Sequence, residues 1–251
     1  MYNPEALDVP QPRKLLGRIA VVTGGGKGLG LALVRALARA GADVALSYHE
    51  SREGAFGAVE EIQALGHRAV ALAADARRPG SMAGFVDEAA RTLGGVDVLV
   101  NNAGVFRRSE VGDLTEEALD EAFDVNVKSA VLCAQAAAPH MRRRGGGAIV
   151  NVASLGGLRP WKGHLAYCSS KAALVMATRC LALALAPDIR VNAVAPGILE
   201  PPGAGEGVRG RIPAGRFGTH DEAVEAVLFL LASASYSTGE VLGLDGGRAL
   251  N

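Results

Sequence analysis

The stretch VVTGGGKGLGLALV, Val21–Val34, decides the fold of this chain. An apolar run that predicts a buried strand, Arg18–Thr23, leads into its glycines, and a helical pattern of leucine and valine follows Gly30. A strand, a glycine-rich turn and a helix in this order are typical of a dinucleotide-binding site. Gly24 permits the tight turn, and Gly28 lets the backbone approach a pyrophosphate. Gly30 lets the helix pack closely on the strand.

The first turn of the helix that follows supplies the chemistry of this site. Its free N–H groups and the positive end of its dipole face the phosphates. Lys27 lies inside the loop, where its ammonium is well placed to meet a phosphate. We therefore expect the loop residues to bind the cofactor, namely Gly24, Lys27, Gly28, Leu29 and Gly30.

Strand and helix signals alternate along the rest of the chain, as in a doubly wound α/β fold. Seven strands are predicted, at Arg18–Thr23, Asp43–Tyr48, Arg68–Ala73, Val96–Asn101, Ala148–Ala153, Ile189–Ala195 and Glu240–Leu244. One long helical stretch runs from Thr115 to about Arg143, and Thr219 with Glu222 predicts a capping box at the start of the last helix. We predict a single Rossmann-fold domain over residues 17–251, with a seven-stranded parallel sheet flanked by helices. Residues 1–16 are predicted to be a flexible extension, and the Gly- and Pro-rich segment at about 197–218 a substrate loop.

The charge, apolar stretches and cysteines of the sequence limit the kinds of partner and compartment that we expect. Lys+Arg 26 balance Asp+Glu 26, so no global field favours nucleic acid or a charged membrane. The run Arg142–Arg144 before three glycines predicts a helix C-terminus. No apolar stretch in the sequence is long and uninterrupted enough to predict a membrane span, and we expect no metal. Three scattered cysteines, Cys133, Cys168 and Cys180, predict free thiols in a reducing cytoplasm.

A second motif places a phenol and an ammonium one helical turn apart. Tyr167 and Lys171, in AYCSSKAAL, are four residues apart and therefore emerge on the same helix face. The pKa of a phenol is about 10, and a neighbouring cation favours its ionised form. We therefore expect Lys171 to draw the pKa of Tyr167 toward the working range, where the phenol can exchange a proton with a substrate oxygen. Ser154 lies upstream in NVASLGG.

Together these motifs resemble the classical short-chain dehydrogenases/reductases over almost the whole chain. The matching pieces are Thr23–Gly30, VLVNNAG at Val98–Gly104, VNV around Asn126, IVNVAS ending at Ser154, YCSSK at Tyr167–Lys171 and IRVNAVAPG ending at Gly197. Their order and separations fit the family. The resemblance implies an NAD(P)-dependent oxidoreductase similar to 3-oxoacyl-(acyl-carrier-protein) reductases or pteridine reductases.

The resemblance also implies roles for individual residues. Tyr167 would be the proton donor, Ser154 would hold the carbonyl oxygen, and Lys171 would also hold the nicotinamide ribose. Asn126 would anchor a water chain from the lysine to solvent. Further residues are predicted to bind the cofactor. They are Tyr48, His49 and Ser51 at the end of the second strand, Asp75 and Ala76 beside the adenine, and Asn102, Ala103 and Gly104 along the adenosine. The remaining three are Pro196, Gly197 and Ile198, at the end of the sixth strand. For Asp75, capping of a helix N-terminus is the alternative.

The end of the second strand bears on the choice of cofactor. NAD-specific relatives place an acid there to bind the ribose 2′-hydroxyl. Here LSYHESR, Leu46–Arg52, has no acid immediately at the strand end. Small polar groups at Ser47 and Ser51, with Lys27 and Arg52 nearby, favour a 2′-phosphate, whereas Glu50 favours NADH. The prediction is NADPH.

The substrate is less determined than the reaction. A 3-oxoacyl or generic ketone reductase is the favoured interpretation, because the Ser–Tyr–Lys set is complete. SYHES after the second strand favours a pteridine reductase, although those proteins commonly carry Asp where this chain has Ser154. Phe106, Trp161 and Phe217 are the candidates for an aromatic lid on such a ring. An NAD-dependent alcohol dehydrogenase and a non-catalytic dinucleotide-binding protein stay as alternatives, and the resemblance implies a homo-oligomer, a tetramer or a dimer.

Overall fold

A seven-stranded parallel sheet forms the centre of the structure, a computed structural model that describes residues 14–200 and 206–251. The predicted flexible extension lies outside the described residues up to residue 13, and so do residues 201–205 of the predicted substrate loop. The strands are β1 Ile19–Val22, β2 Asp43–Tyr48, β3 Ala69–Ala73, β4 Val98–Asn101, β5 Gly147–Val152, β6 Ile189–Pro196 and β7 Val241–Leu244. All seven predicted strands are thus present, with ends that differ from the prediction by at most two residues.

The strand order creates the crevice in which a ligand can bind. Neighbours follow the order β3-β2-β1-β4-β5-β6-β7, and every pair is parallel. The order reverses between β1 and β4, and in open sheets of this kind ligands bind beyond the carboxyl ends of the strands at that point. The predicted fold class, a doubly wound Rossmann fold, is confirmed.

Helices cover both faces of the sheet. They are α1 Gly28–Arg39, α2 Arg52–Ala64, α3 Ser81–Leu93, α4 Glu116–Phe123, α5 Ser129–Arg143, α6 Leu165–Leu185, α7 Glu206–Arg209 and α8 His220–Ala232. Successive strand residues point to opposite faces, so Val22 packs with α1 and α8 whereas Val21 packs with α3 and α5. Both valines are fully buried, as expected for a parallel sheet between two helical layers.

The predicted helical stretch from Thr115 to Arg143 is interrupted by a π-helical segment. Thr115 caps α4, because its hydroxyl accepts the N–H of Ala118. The π-helical turn then runs over Asp124–Lys128, between α4 and α5. At the other end of the chain the predicted capping box is present, with Thr219 and Glu222 each accepting a backbone N–H of the other.

Helix α6 corrects one expectation from the sequence. Among the described residues it is long and apolar enough, by length and composition, to cross a membrane. It lies against the sheet, where Leu174 and Val175 pack with Ala193 of β6. It also carries Lys171, a buried polar group that is hydrogen-bonded to β5. We therefore describe α6 as a helix of this α/β domain.

A buried carboxylate lies at the amino ends of the central strands β1 and β4, away from the crevice. Asp97 accepts hydrogen bonds from the guanidinium groups of Arg18 and Arg144 and from the backbone N–H of Ile19. Arg142 pairs with Asp188 at 3.0 Å. Two arginines of the run Arg142–Arg144 at the end of α5 are thus engaged within the chain, in agreement with a structural role for that run.

Candidate functional site

The glycine-rich loop between β1 and α1 has the geometry that its sequence predicts. Gly24 has φ +66 and Gly28 has φ +53, the left-handed region that favours glycine. A Cβ on Gly30 would lie 2.1 Å from the carbonyl oxygen of Gly24, so a side chain there would separate helix from strand. A Cβ on Gly28 would meet no atom within 4 Å. The open side of the loop is therefore at Gly28, where the pyrophosphate was predicted to approach.

The loop fits a dinucleotide phosphate group. Lys27 precedes α1 without capping it by its side chain, and the first turn has no acid, so the N–H groups are available to an anion. The amide of Asn102 donates to the carbonyls of Thr23 and Gly24 at 3.0 Å. The hydroxyl of Thr23 accepts the N–H groups of Asn102 and Ala103. These bonds fasten the end of β4 to the loop and fix the shape of the cradle.

A cleft of about 380 Å³ runs from this loop to the ends of β2 and β3. Twelve of the predicted cofactor-binding residues line it, namely Gly24, Lys27, Leu29, Gly30, Tyr48, His49, Ser51, Asp75, Ala76, Asn102, Ala103 and Gly104. Such a cleft, with an uncapped helix N-terminus at its centre, suits an adenosine diphosphate moiety.

Asp75 lies in an arginine network that the sequence analysis missed. Its carboxylate accepts the backbone N–H and the guanidinium of Arg77, and these hydrogen bonds lower the pKa of Asp75 to about 2. Arg77 also lies 3.0 Å from a ring nitrogen of His49. The alternative role for Asp75, helix capping, is wrong, because α3 begins after Gly80. The only signal for Arg77 in the sequence is its place two residues after Asp75.

Two residues of the predicted 2′-phosphate site have other partners. The buried hydroxyl of Ser47 accepts the N–H of Gly24 at 3.0 Å and so holds the loop. The guanidinium of Arg52 lies 5.3 Å from the ring centre of Phe56. The side chain of Glu50 also lines the cleft, but it is 78% exposed and lies 3.7 Å from a ring nitrogen of His49.

Tyr167 and Lys171 lie on one face of α6, and Ser154 follows β5. The ammonium of Lys171 donates to the carbonyl of Val152 at 2.7 Å, and complete burial lowers its pKa to about 8. Burial raises the pKa of Tyr167, and a hydrogen bond with Ser154 acts in the opposite direction. The structure thus contradicts the expectation that Lys171 draws the pKa of Tyr167 down. Desolvation by burial is the largest influence on the pKa of this phenol.

Asn126 lies in the π-helical turn, buried close to Lys171. Its Oδ1 accepts the N–H of Val105 at 2.8 Å, and its Nδ2 donates to Ser170 and to the carbonyl of Val105. A Cβ on Gly104 would lie 3.2 Å from this Oδ1 and 3.5 Å from Nζ of Lys171. The structure therefore brings Asn126 and Lys171 together around Gly104. Single π-helical turns inside α-helices are frequent at functional sites.

A larger cavity of about 990 Å³ opens in front of Tyr167 and Ser154. Gly197 and Ile198 line it from the end of β6, together with an aromatic wall of Phe106, Trp161 and His164. Pro196 ends β6 and is buried behind them. Arg211 belongs to the predicted substrate loop, whereas sequence reasoning missed other members of the lining, among them Arg159, Lys162, His164 and Arg248. Phe217, a candidate for the aromatic lid, is not among the described residues that line this cavity.

Comparison with known proteins gives the same picture. The family model described as short chain dehydrogenase matches residues 18–209. The chain is 39% identical over 246 residues to 4-formylbenzenesulfonate dehydrogenase from Comamonas testosteroni, covering 92% of this chain and 97% of that protein. It is 35% identical over 246 residues to a 3-oxoacyl-(acyl-carrier-protein) reductase from Thermotoga maritima, covering 94% and 100%. A crystal structure of a short chain dehydrogenase from Burkholderia cenocepacia J2315 in complex with NADP superimposes with TM-score 0.89 and 39% identity, covering 94% and 99%.

Proposed function

Because the chain belongs to the short-chain dehydrogenase/reductase family of NAD(P)-dependent oxidoreductases, we propose that it reduces a carbonyl substrate with NADPH and uses Tyr167 as proton donor. One observation carries the proposal. Tyr167 and Ser154 line the large cavity, whereas Lys171 and Asn126 are buried behind them. A substrate in the cavity can therefore reach a hydroxyl pair that is held by buried polar groups.

Ser154, Tyr167, Lys171 and Asn126 each have a defined role in this reaction. Bound NADPH would supply hydride to the carbonyl carbon, while negative charge grows on the carbonyl oxygen. Ser154 donates a hydrogen bond to that oxygen, and Tyr167 gives it a proton. The ammonium of Lys171 stabilises the phenolate that Tyr167 becomes. Asn126 fixes Ser170 and the backbone at Val105 around the lysine.

The charge arrangement of the cofactor cleft supports NADPH over NADH. An acid that bound the ribose 2′-hydroxyl would repel a 2′-phosphate. The two least exposed carboxylates of the cleft are compensated, Asp75 by Arg77 and Glu121 by Arg107 at 2.7 Å, whereas Glu50 is largely exposed. Lys27 also lines the cleft and provides a further cation for the phosphate.

The proposal is tested by cofactor binding together with turnover. We expect purified protein to bind NADPH at least about 10-fold more tightly than NADH, because a 2′-phosphate gains charge-assisted hydrogen bonds in this cleft. A panel of 3-oxoacyl thioesters, simple ketones and dihydropterins then identifies the carbonyl that oxidises NADPH. Preference for NADH would favour an NAD-dependent alcohol dehydrogenase instead. Binding without turnover of any compound would favour a non-catalytic dinucleotide-binding protein.

Dihydropterin reduction is the second candidate, favoured by the aromatic wall of the cavity. Trp161 and Tyr167 are stacked with ring centres 6.0 Å apart and planes 24° apart. Phe106 stacks on His164 at 4.9 Å. Flat aromatic faces of this kind suit a planar ring. Ser154, in place of the Asp common in pteridine reductases, favours carbonyl reduction.

We also propose that the protein is a cytoplasmic homo-oligomer, a tetramer or a dimer. Helix α6 exposes Met176 and Leu183 on the side away from the sheet, and α8 exposes Phe229. Apolar side chains in such positions are buried when subunits associate. The three cysteines are free thiols, which fits a reducing compartment.

A further inference from the structure

Cationic side chains surround the larger cavity. Arg159, Lys162, Arg211 and Arg248 all line it, and among its described lining residues there is no aspartate or glutamate. The chain as a whole is neutral, with 26 basic and 26 acidic side chains. The cluster is therefore a local property of this cavity and not a consequence of overall charge.

These cations also lack the ion pairs that most arginines of the chain make. Arg18, Arg35, Arg68, Arg77 and Arg144, for example, each pair with a carboxylate. Within the described residues, none of the four cavity cations has a carboxylate within salt-bridge distance. Their charge is left for a partner that enters the cavity.

The acidic side chain nearest to Arg248 along the chain is already engaged. Asp245 lies three residues before Arg248, and its two carboxylate oxygens accept the backbone N–H groups of Gly247 and Ala249. This arrangement shapes the short 3₁₀ turn Arg248–Leu250 and places Arg248 on the cavity wall. Arg159 supports the same turn, because its guanidinium donates to the carbonyl of Arg248 at 2.5 Å.

Arg248 and Arg211 are the cations best placed to bind an anion. The guanidinium of Arg248 lies 5.6 Å from the ring centre of Trp161, so it borders the aromatic wall. Arg211 makes no side-chain hydrogen bond among the described residues. A guanidinium with free N–H groups binds a carboxylate or a sulfonate through two parallel hydrogen bonds.

From this geometry we infer that the substrate is a carbonyl compound that bears a ring and a carboxylate or sulfonate group. The carbonyl lies at Tyr167 and Ser154, the ring lies along Phe106 and Trp161, and the anionic group binds Arg248 and Arg211. The inference rests on the proposed carbonyl reduction and names its substrate class. Hydride from NADPH and a proton from Tyr167 convert the carbonyl to an alcohol, and NADP⁺ is released.

The test compares 4-formylbenzoate with its methyl ester, which lacks the negative charge and adds one methyl group, with NADPH as reductant. We expect kcat/KM to be at least about 10-fold higher for the acid, since hydrogen bonds to a charged group are worth that much. The difference should lie mainly in KM, because the anion binds in ground state and transition state alike.

Arginine variants test whether the cavity cations cause the preference for the acid over the ester. Arg248→Gln and Arg211→Gln should each lower the acid-to-ester ratio about 10-fold. Arg39→Gln removes the same charge from an exposed position at the end of α1 and should leave the ratio unchanged. The two cavity arginines lie on separate segments, so one variant that fails to fold leaves the other to decide.

Binding without turnover separates this inference from the proposed function. Trp161 is the single tryptophan of the chain, so quenching of its fluorescence reports ligands in the cavity. If 4-formylbenzoate binds in an arginine-dependent way but does not oxidise NADPH, the anion site stands and the reduction fails. The inference is overturned, and the reduction stands, if the ester is reduced with the same kcat/KM as the acid. It is likewise overturned if both arginine variants keep the wild-type ratio of kcat/KM for acid over ester. Failure of both compounds to bind overturns the inference.

Discussion

Burial acts on Lys171 and Tyr167 in opposite directions. It lowers the pKa of the lysine to about 8 and raises the pKa of the phenol. At neutral pH the resting site therefore holds a protonated Tyr167, which suits a proton donor. Lys171 is still largely charged, so it can stabilise the phenolate that forms when the proton leaves. The two shifts fit reduction better than oxidation, because oxidation needs a phenolate at the start.

The pH dependence of kcat/KM follows from these pKa values. As pH rises through about 8, Lys171 loses its proton and the charge that stabilises the phenolate disappears. Carbonyl reduction should therefore decline above that pH in profiles of the free enzyme. The arginine of Lys171→Arg keeps its charge to much higher pH. We therefore expect this variant to be less active than wild type but to show no decline of kcat/KM above about pH 8. An unchanged limb in the arginine variant would assign the titration to another group.

At the level of the elements, the segment from α4 through the π-helical turn to α5 shows what the apolar periodicity of a sequence can and cannot predict. The helical pattern predicted its range from Thr115 to Arg143 correctly. The π-helical turn at Asn126 was not foreseen, because one extra residue in a turn barely disturbs an apolar repeat. The turn depends on tertiary bonds from Asn126 to Val105 and Ser170, which no local pattern reveals.

A prediction about stability concerns Asp97, which directly precedes the central strand β4. Burial would raise the pKa of this carboxyl, but hydrogen bonds from Arg144, Ile19 and Arg18 hold it below its ordinary value. Asp97→Asn should lower the free energy of unfolding by about 2–3 kcal/mol at neutral pH, less than for a fully buried pair because both arginines are partly exposed.

The sign of the pH effect is fixed by the lowered pKa. The carboxylate stabilises the fold above its unfolded-state pKa, and this contribution is lost as pH falls through the lower folded-state pKa. In urea denaturation, wild type and Asp97→Asn should therefore converge in acid. Asp113→Asn, at an exposed position, serves as the control and should unfold like wild type. A difference that persists undiminished in acid would assign the stabilisation to packing.

For the whole molecule, the sequence predicted what local spacing encodes. The glycine loop and the pair Tyr167 and Lys171 lie within short segments, so their patterns are visible without a structure. The cations Arg159, Arg211 and Arg248 come from three separate segments that meet only in the folded cavity. The pKa of Tyr167 could not be predicted for a related reason, since its burial depends on neighbours distant in sequence.

The most direct test of the account is the turnover of Tyr167→Phe. The substitution removes the proposed proton donor and keeps the aromatic ring in the cavity wall. We expect kcat for NADPH-dependent carbonyl reduction to fall by about 100-fold or more, with NADPH binding retained. Tyr236→Phe removes a fully exposed hydroxyl outside both cavities and should keep wild-type rates. Near-normal turnover by Tyr167→Phe would contradict the central claim that this phenol supplies the proton.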